Sequence, residues 1–522
     1  MSKTYRNPIL PGFYPDPSIC CVGDDYYLVT STFEYFPGVP IFHSRDLVHW
    51  RQIGHVLDRP SQLNLDSVPQ SYGIFAPTLR YHDGLFYMVT TLADPQRVFH
   101  NFIVTAEHPE GPYSEPYFLN DAPGIDPSLF FDDDGRAWYT GNRNPMGADH
   151  RVSARREIWL QELDLATMQL IGEKYVLWDG ITRGEEVPEA PHLYKVDGQY
   201  ILLIAEGGTY LTHMVTVARS ETLTGTYESN PRNPILTHKH LGIDHPITNT
   251  GHADMVQTPG GEWWMVALAS RPNGGYFYNL GRETFLVPMK FEDGFPLVNP
   301  GKGVIEFEHP APDLPEQRWS APPACDHFEG ESLALCWNFL RTPRTNFWSL
   351  SERRGYLRLK LRPEKLSDYA NPSFVGRRQQ HIDFAVRTAL EFSPENINEC
   401  AGLVVIQNAH YHFRFVATLN SAGERVVRLE QRANDLETLI AERVVSSERL
   451  YLKIEAVGMA YTFALATIFE QWQTLAENVD GRILSTTVAQ GFTGVYIGMY
   501  ASSNGEVSET VADFDYFEYL GT

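Results

Sequence analysis

The chain has little that would suit a membrane, a nucleic acid or a disulfide-stapled scaffold. No segment approaches 18 consecutive apolar residues, so no helix is expected to span a bilayer. No Lys/Arg block is present, and the formal net charge is -23. That acidity leaves no basic surface for nucleic acid and favours a neutral or cationic ligand over a phosphorylated one. Cysteine is scarce: five residues, at 20, 21, 325, 336 and 400. The number is odd, and the neighbours Cys20 and Cys21 would project to opposite faces of a strand. Both facts argue against a disulfide framework or a zinc site and fit a reducing cytoplasm. The opening MSKTYRNPILPG lacks the apolar run of a secretion signal, so a cytoplasmic location is expected.

Aromatic and hydrophobic residues, in contrast, are plentiful. Hydrophobic residues make up 43% and aromatics 13% of the 522 residues. This length exceeds one ordinary core, so two large domains are expected. Aromatic side chains suit β structure and core packing, and they also offer flat faces for sugar rings.

One pattern recurs through the first three hundred residues. A polar–apolar start leads into a short strand, an acidic or Gly turn, and an aromatic strand. The copies are DPSICCVGDDYYLVTS, APTLRYHDGLFYMVTT, DPSLFFDDDGRAWYTG, APHLYKVDGQYILLIA and ADMVQTPGGEWWMVAL. They begin at residues 16, 76, 126, 190 and 253, so successive starts lie 60, 50, 64 and 63 residues apart. Each reads as a β-hairpin around a DD, DG or GG turn, with more strand-like sequence behind it. Five such units predict a five-bladed β-propeller over residues 1–305; a run of unrelated hairpins in a sandwich is the rival. EFEHPAPDLPEQRWSAPPA (306–324) is Pro-rich and reads as a linker. Alternating segments such as HYHFRFVAT and RLYLKIEAV predict a second all-β domain over 325–522, a jelly-roll-type β-sandwich.

Propeller strands start together at one end of a central channel, which gives the repeat starts their interest. Asp16 opens the first copy, in GFYPDPS, where Pro15 and Pro17 stiffen the backbone and bias Asp16 towards an extended conformation. Asp126 opens the third. Glu189 immediately precedes the fourth, Phe75 stands at that point in the second, and His252 in the fifth. Three carboxylates converging in an aromatic-lined cavity suit glycosidic hydrolysis. One carboxyl donates a proton to the leaving oxygen, another activates water or attacks, and a third can raise the donor's pKa. A carboxylate cage for a metal is the competing chemistry, but no clustered DxDxDG loop is present. DDDG at 132–135 falls at a hairpin tip, where a plain turn is expected.

These residues resemble glycoside hydrolase family 43, specifically its two-domain β-xylosidases with a C-terminal β-sandwich. The matching stretches are NPILPGFYPDPSI, STFEYFPGVPIFHSRDLVHW, GIFAPTLRYHDG, GIDPSLFFDDDG, EAPHLYK, GHADMV and GRETFLVP, with SFVGRRQQH in the second domain. The resemblance implies Asp16 as the general base and Glu189 as the general acid, with Glu185 and Glu186 as sequence neighbours that fit the pattern less well. It implies Asp126 as the group that tunes and orients Glu189. Arg282 would bind sugar hydroxyls and pair with the acids, and Phe33 would flank the terminal sugar. His252 matches a histidine linked in some members to a water-held calcium ion; it could equally order water below the acids. No cofactor is expected to be required. Phe75 stands where the family often has Trp, and Ala190 where it often has Gly, which puts subsite shape in question.

The implied reaction is inverting hydrolysis that releases xylose from the non-reducing end of β-1,4-xylooligosaccharides. α-L-arabinofuranosidase or dual activity is the alternative, with arabinose-substituted oligosaccharides as partners. A non-catalytic sugar-binding propeller is a third reading. A sandwich loop, QGFTG with Phe492, and Tyr496 beyond it, are candidates to close the pocket. A homo-oligomer is also implied.

Overall fold

The computed structural model describes residues 3–145, 156–179 and 187–521. Five antiparallel blades, three of four strands and two of five, surround an axis. Blade 1 runs through Ser18–Val22, Asp25–Val29, Gly38–Ser44 and Arg51–Leu57. The inner strands of blades 2 to 5 are Thr78–His82, Ser128–Phe131, Glu189–Val196 and Thr248–Gln257. Each pairs with the strand that follows it in sequence. The turns that join them explain the repeat. Asp83-Gly84 and Asp197-Gly198 both carry positive φ at both positions (46° and 84°, 49° and 77°), the type I′ geometry that matches strand twist. Inner strands touch in ring order, and Thr248–Gln257 closes the ring on Ser18–Val22.

The core lies between neighbouring blades. Tyr139 and Trp159 fill the space between blades 2 and 3, Met265 and Phe285 that between 4 and 5, and Leu28 and Val266 that between 5 and 1. Each such fully buried side chain contributes about 1.5–3 kcal/mol. The N-terminal segment seals the ring: Asn7 donates Nδ2–H to the Leu286 carbonyl (2.8 Å) and accepts the Leu286 N–H (2.9 Å).

The second domain is a sandwich of an eight-stranded and a six-stranded antiparallel sheet. The Pro-rich connection is pinned to the propeller. Glu308–Pro310 pairs with Thr4–Arg6, and Trp319 donates Nε1–H to the His49 carbonyl (3.0 Å). The domains share one continuous core and a two-strand ladder, Tyr35–Phe36 against Phe339–Leu340. Tyr496 stacks on Tyr35 at 3.7 Å between ring centroids, so it packs the interface rather than the pocket. No helix of the described residues is long and apolar enough to cross a membrane.

Candidate active site

The blade starts place the acids through an unusual backbone. Asp16, Asp126, Ala190 and His252 all have positive φ, at 54°, 53°, 50° and 45°. Asp16 is therefore left-handed, not extended: the fold overrides the bias of Pro17, and the same turn recurs before Pro127 and Pro191. It also corrects the frame of the fifth repeat. His252 occupies the place of Asp16, Asp126 and Ala190, not that of Glu189. Bulges after Thr248 and Gly251 shift the register there, and one after Glu189 does so in blade 4.

Asp16 is buried, and its partners are all polar. Arg282 donates from Nη1 to Oδ1 (2.8 Å), and Ser31 donates Oγ–H to Oδ2 (2.5 Å). The His252 Nδ1 lies 3.5 Å from Oδ1. Burial alone would raise the Asp16 pKa. The Arg282 charge, helped by His252 and the Ser31 hydrogen bond, outweighs it and holds the carboxyl below its ordinary value. Glu189 goes the other way: burial and then the Asp16 charge push it up to about 7, against the opposing pull of Arg282 and Arg156. Asp126 is raised well above the carboxylate range by burial, by Glu189 and by Asp16, although it accepts the Ala190 N–H at 3.3 Å. Asp126 and Glu189 therefore act on each other, and the Asp16 charge raises both. Glu185 and Glu186 lie outside the described residues.

Aromatic rings form the wall. Phe33 contacts Phe75 (5.4 Å) and the sandwich residue Phe492 (6.0 Å). The Arg282 guanidinium sits 5.5 Å from Phe33 and 5.6 Å from Phe492, and its Nε donates to the Phe492 carbonyl (3.3 Å). Phe75 and Phe492 thus both pack on Phe33, and Phe33 and Phe492 flank the arginine that pairs with Asp16. Calcium would want six to eight oxygen ligands. Among the described residues no group of three or more His, Cys, Asp or Glu side chains is arranged to hold a metal ion.

Sequence reasoning missed a polar plug beneath the acids. Arg80 donates to both oxygens of Asp254 (2.8 and 3.2 Å) and to His192 Nδ1 (2.9 Å), while Ser18 donates to Asp254 (2.7 Å). Tyr194 also donates its hydroxyl to Asp254. Ser18, Ser128, His192 and Asp254 each lie two residues beyond a blade start, a signal the corrected frame would have exposed. His213 was missed too. Its ring lies over Gly251, where a Cβ would come within 2.3 Å of it, which explains the glycine in GHAD.

Buried acids with opposed pKa shifts, set beside aromatic rings, are the equipment for cleaving a glycosidic bond. Comparison with known proteins agrees. The model of "Glycosyl hydrolases family 43" matches residues 5–296, and that of "Beta xylosidase C-terminal Concanavalin A-like domain" matches 325–520. The chain belongs to glycoside hydrolase family 43. Among relatives of this family 43 chain is a xylosidase/arabinosidase of Butyrivibrio fibrisolvens, 47% identical with 98% of both chains covered. A non-reducing end alpha-L-arabinofuranosidase of Bacteroides ovatus is 40% identical, covering 99% of this chain and 95% of the relative. The solved xylan beta-1,4-xylosidase from Bacillus halodurans superposes with a TM-score of 0.94 at 38% identity, covering 99% of this chain and 100% of that one. The family 43 chain is a glycoside hydrolase with a five-bladed propeller and a C-terminal β-sandwich.

Proposed function

We propose that this family 43 enzyme is an inverting exo-glycosidase that removes xylose from the non-reducing end of β-1,4-xylooligosaccharides. The observation that carries this reading is the division of charge among three buried carboxyls. Asp16, paired with Arg282, stays ionised and takes a proton from the attacking water. Glu189, pushed up to about 7, keeps its proton near neutral pH and gives it to the departing sugar oxygen. Asp126 orients the start of that strand through the Ala190 N–H. The water adds to the anomeric carbon as the glycosidic bond breaks, in one displacement and without a covalent sugar–enzyme intermediate. Such a geometry calls for a base–acid separation of about 6.5–9.5 Å. The exo reading rests on the likeness to the solved xylan beta-1,4-xylosidase, and it is supported by the sandwich residue Phe492, whose carbonyl meets the arginine that pairs with Asp16.

A second reading, α-L-arabinofuranosidase or dual activity, is favoured by the names of two of the relatives above. An arabinofuranose and a xylopyranose can present similar hydroxyls to one acidic pocket. Assays on nitrophenyl β-xyloside and nitrophenyl α-arabinofuranoside rank the two. Cleavage of linear arabinan with neither glycoside turned over would sink the xylosidase reading. Asp16→Ala should lower turnover by about 10²–10⁴-fold while sugar binding survives. An unchanged rate would remove Asp16 as the base. The five unpaired cysteines suit work in a reducing compartment.

A further inference from the structure

Glu34 is a buried carboxyl that the reaction above does not use. It lies between Phe33, in the pocket wall, and the Tyr35–Phe36 ladder to the sandwich. Its Oε2 accepts the Ser71 N–H at 2.9 Å. Arg341 of the sandwich donates its backbone N–H to the Glu34 carbonyl (2.8 Å) and its side chain to the Val68 carbonyl (2.7 Å). Ser71, itself at φ 61°, accepts the Phe492 N–H on its Oγ at 2.8 Å. Gly491 fits against that hydroxyl only because it lacks a Cβ, which would lie 2.3 Å from the Ser71 Oγ. The Phe492 carbonyl accepts from Arg282 Nε at 3.3 Å, and Arg282 Nη1 reaches Asp16 at 2.8 Å. The path from Glu34 to Asp16 is unbroken.

We propose that Glu34 and Ser71 form a latch that seats the sandwich loop so that the Phe492 carbonyl aims Arg282 at Asp16. Both are positioning residues, since neither touches a reacting atom. A guanidinium is a rigid planar fork, so fixing Nε fixes where Nη1 points. The latch makes the second domain part of the base's electrostatics rather than only a wall. It rests on the reading of Asp16 as the general base. The Ser71 N–H needs only an acceptor oxygen at this position, and an amide oxygen supplies one as a carboxyl does.

The test is the pH–rate profile of Ser71→Ala, with circular dichroism and melting temperature as fold controls. Turnover should fall roughly tenfold, the scale of one buried hydrogen bond, with KM changing less. The acidic limb should move to higher pH, because Asp16 loses part of its cation. The other groups that act on Asp16, namely His252, His213, Ser31, Glu189 and Asp126, are untouched, so the limb reports Arg282. Glu34→Ala should reproduce the shift and Glu34→Gln should reverse it. That pair decides the matter if Ser71→Ala fails to fold. A folded Ser71→Ala with the parent limb and turnover would overturn the latch, as would Glu34→Gln behaving like Glu34→Ala. Asp16→Ala measured alongside separates the two levels. If it stays active, the base assignment falls and the latch with it. If it is inactive while Ser71→Ala matches the parent, the latch alone falls.

Discussion

In the proposed reaction Asp16 serves as base because the Arg282 charge, with His252 and Ser31, outweighs its burial. The sign of the pH dependence follows from the two opposed shifts. Asp16 is depressed, so the ionised base is present above its pKa and lost only in acid below the ordinary Asp range. Glu189 is raised, so the proton donor is present below about 7 and lost above it. The expected rate profile is a bell whose alkaline limb falls near neutrality, with both limbs belonging to the coupled set of acids. Arg282→Ala should move the acidic limb upward. It also strands a buried carboxylate, at a cost of about 3–5 kcal/mol that thermal or urea unfolding would register. Glu189→Ala should cost far more on xylobiose than on a nitrophenyl glycoside, because a nitrophenolate departs with little protonation help. Equal losses on both substrates would remove Glu189 as the acid. Asp16, Asp126 and Glu189 were readable as candidates because they sit at repeat starts. Ser31, Ser71 and His213 were not: a lone Ser or His carries no periodic signal, and only the fold brings them to the site.

Four of the five blade starts combine a left-handed residue with an inner strand, and this element positions the candidate acids. The hairpins were legible because DG turns announce their own geometry. The frame of the fifth was not, because bulges in Thr248–Gln257 move His252 by one place. Strands Leu436–Val444 and Gln473–Asp480 were missed for a different reason. They are largely exposed, so no apolar alternation marks them. Gly251 shows how tightly the fifth start is packed. Gly251→Ala would drive a methyl into the His213 ring, and overpacking of this kind costs about 1–3 kcal/mol. A lowered melting temperature together with weakened turnover is expected; a melting temperature equal to the parent's would show that His213 has room to move.

At the scale of the whole molecule, the two domains act as one catalytic body. The split at the Pro-rich stretch was visible in composition, whereas the shared core, the Tyr35–Phe36 ladder and the Phe492 contact to Arg282 were not. These join residues hundreds of positions apart, and sequence patterning reports only local periodicity. The propeller expressed alone, residues 1–324, should therefore lose turnover and bare an apolar face; full activity in that fragment would reduce the sandwich to an accessory. The proposed activation of water by Asp16, in place of direct attack by it, has one consequence that no retaining glycosidase shares, namely inversion at the anomeric carbon. Proton NMR of the first sugar released from a β-xyloside, recorded before mutarotation, reads it directly. α-Xylose appearing first is the expected result. Initial release of β-xylose would contradict water activation by Asp16 and point to a covalent intermediate instead.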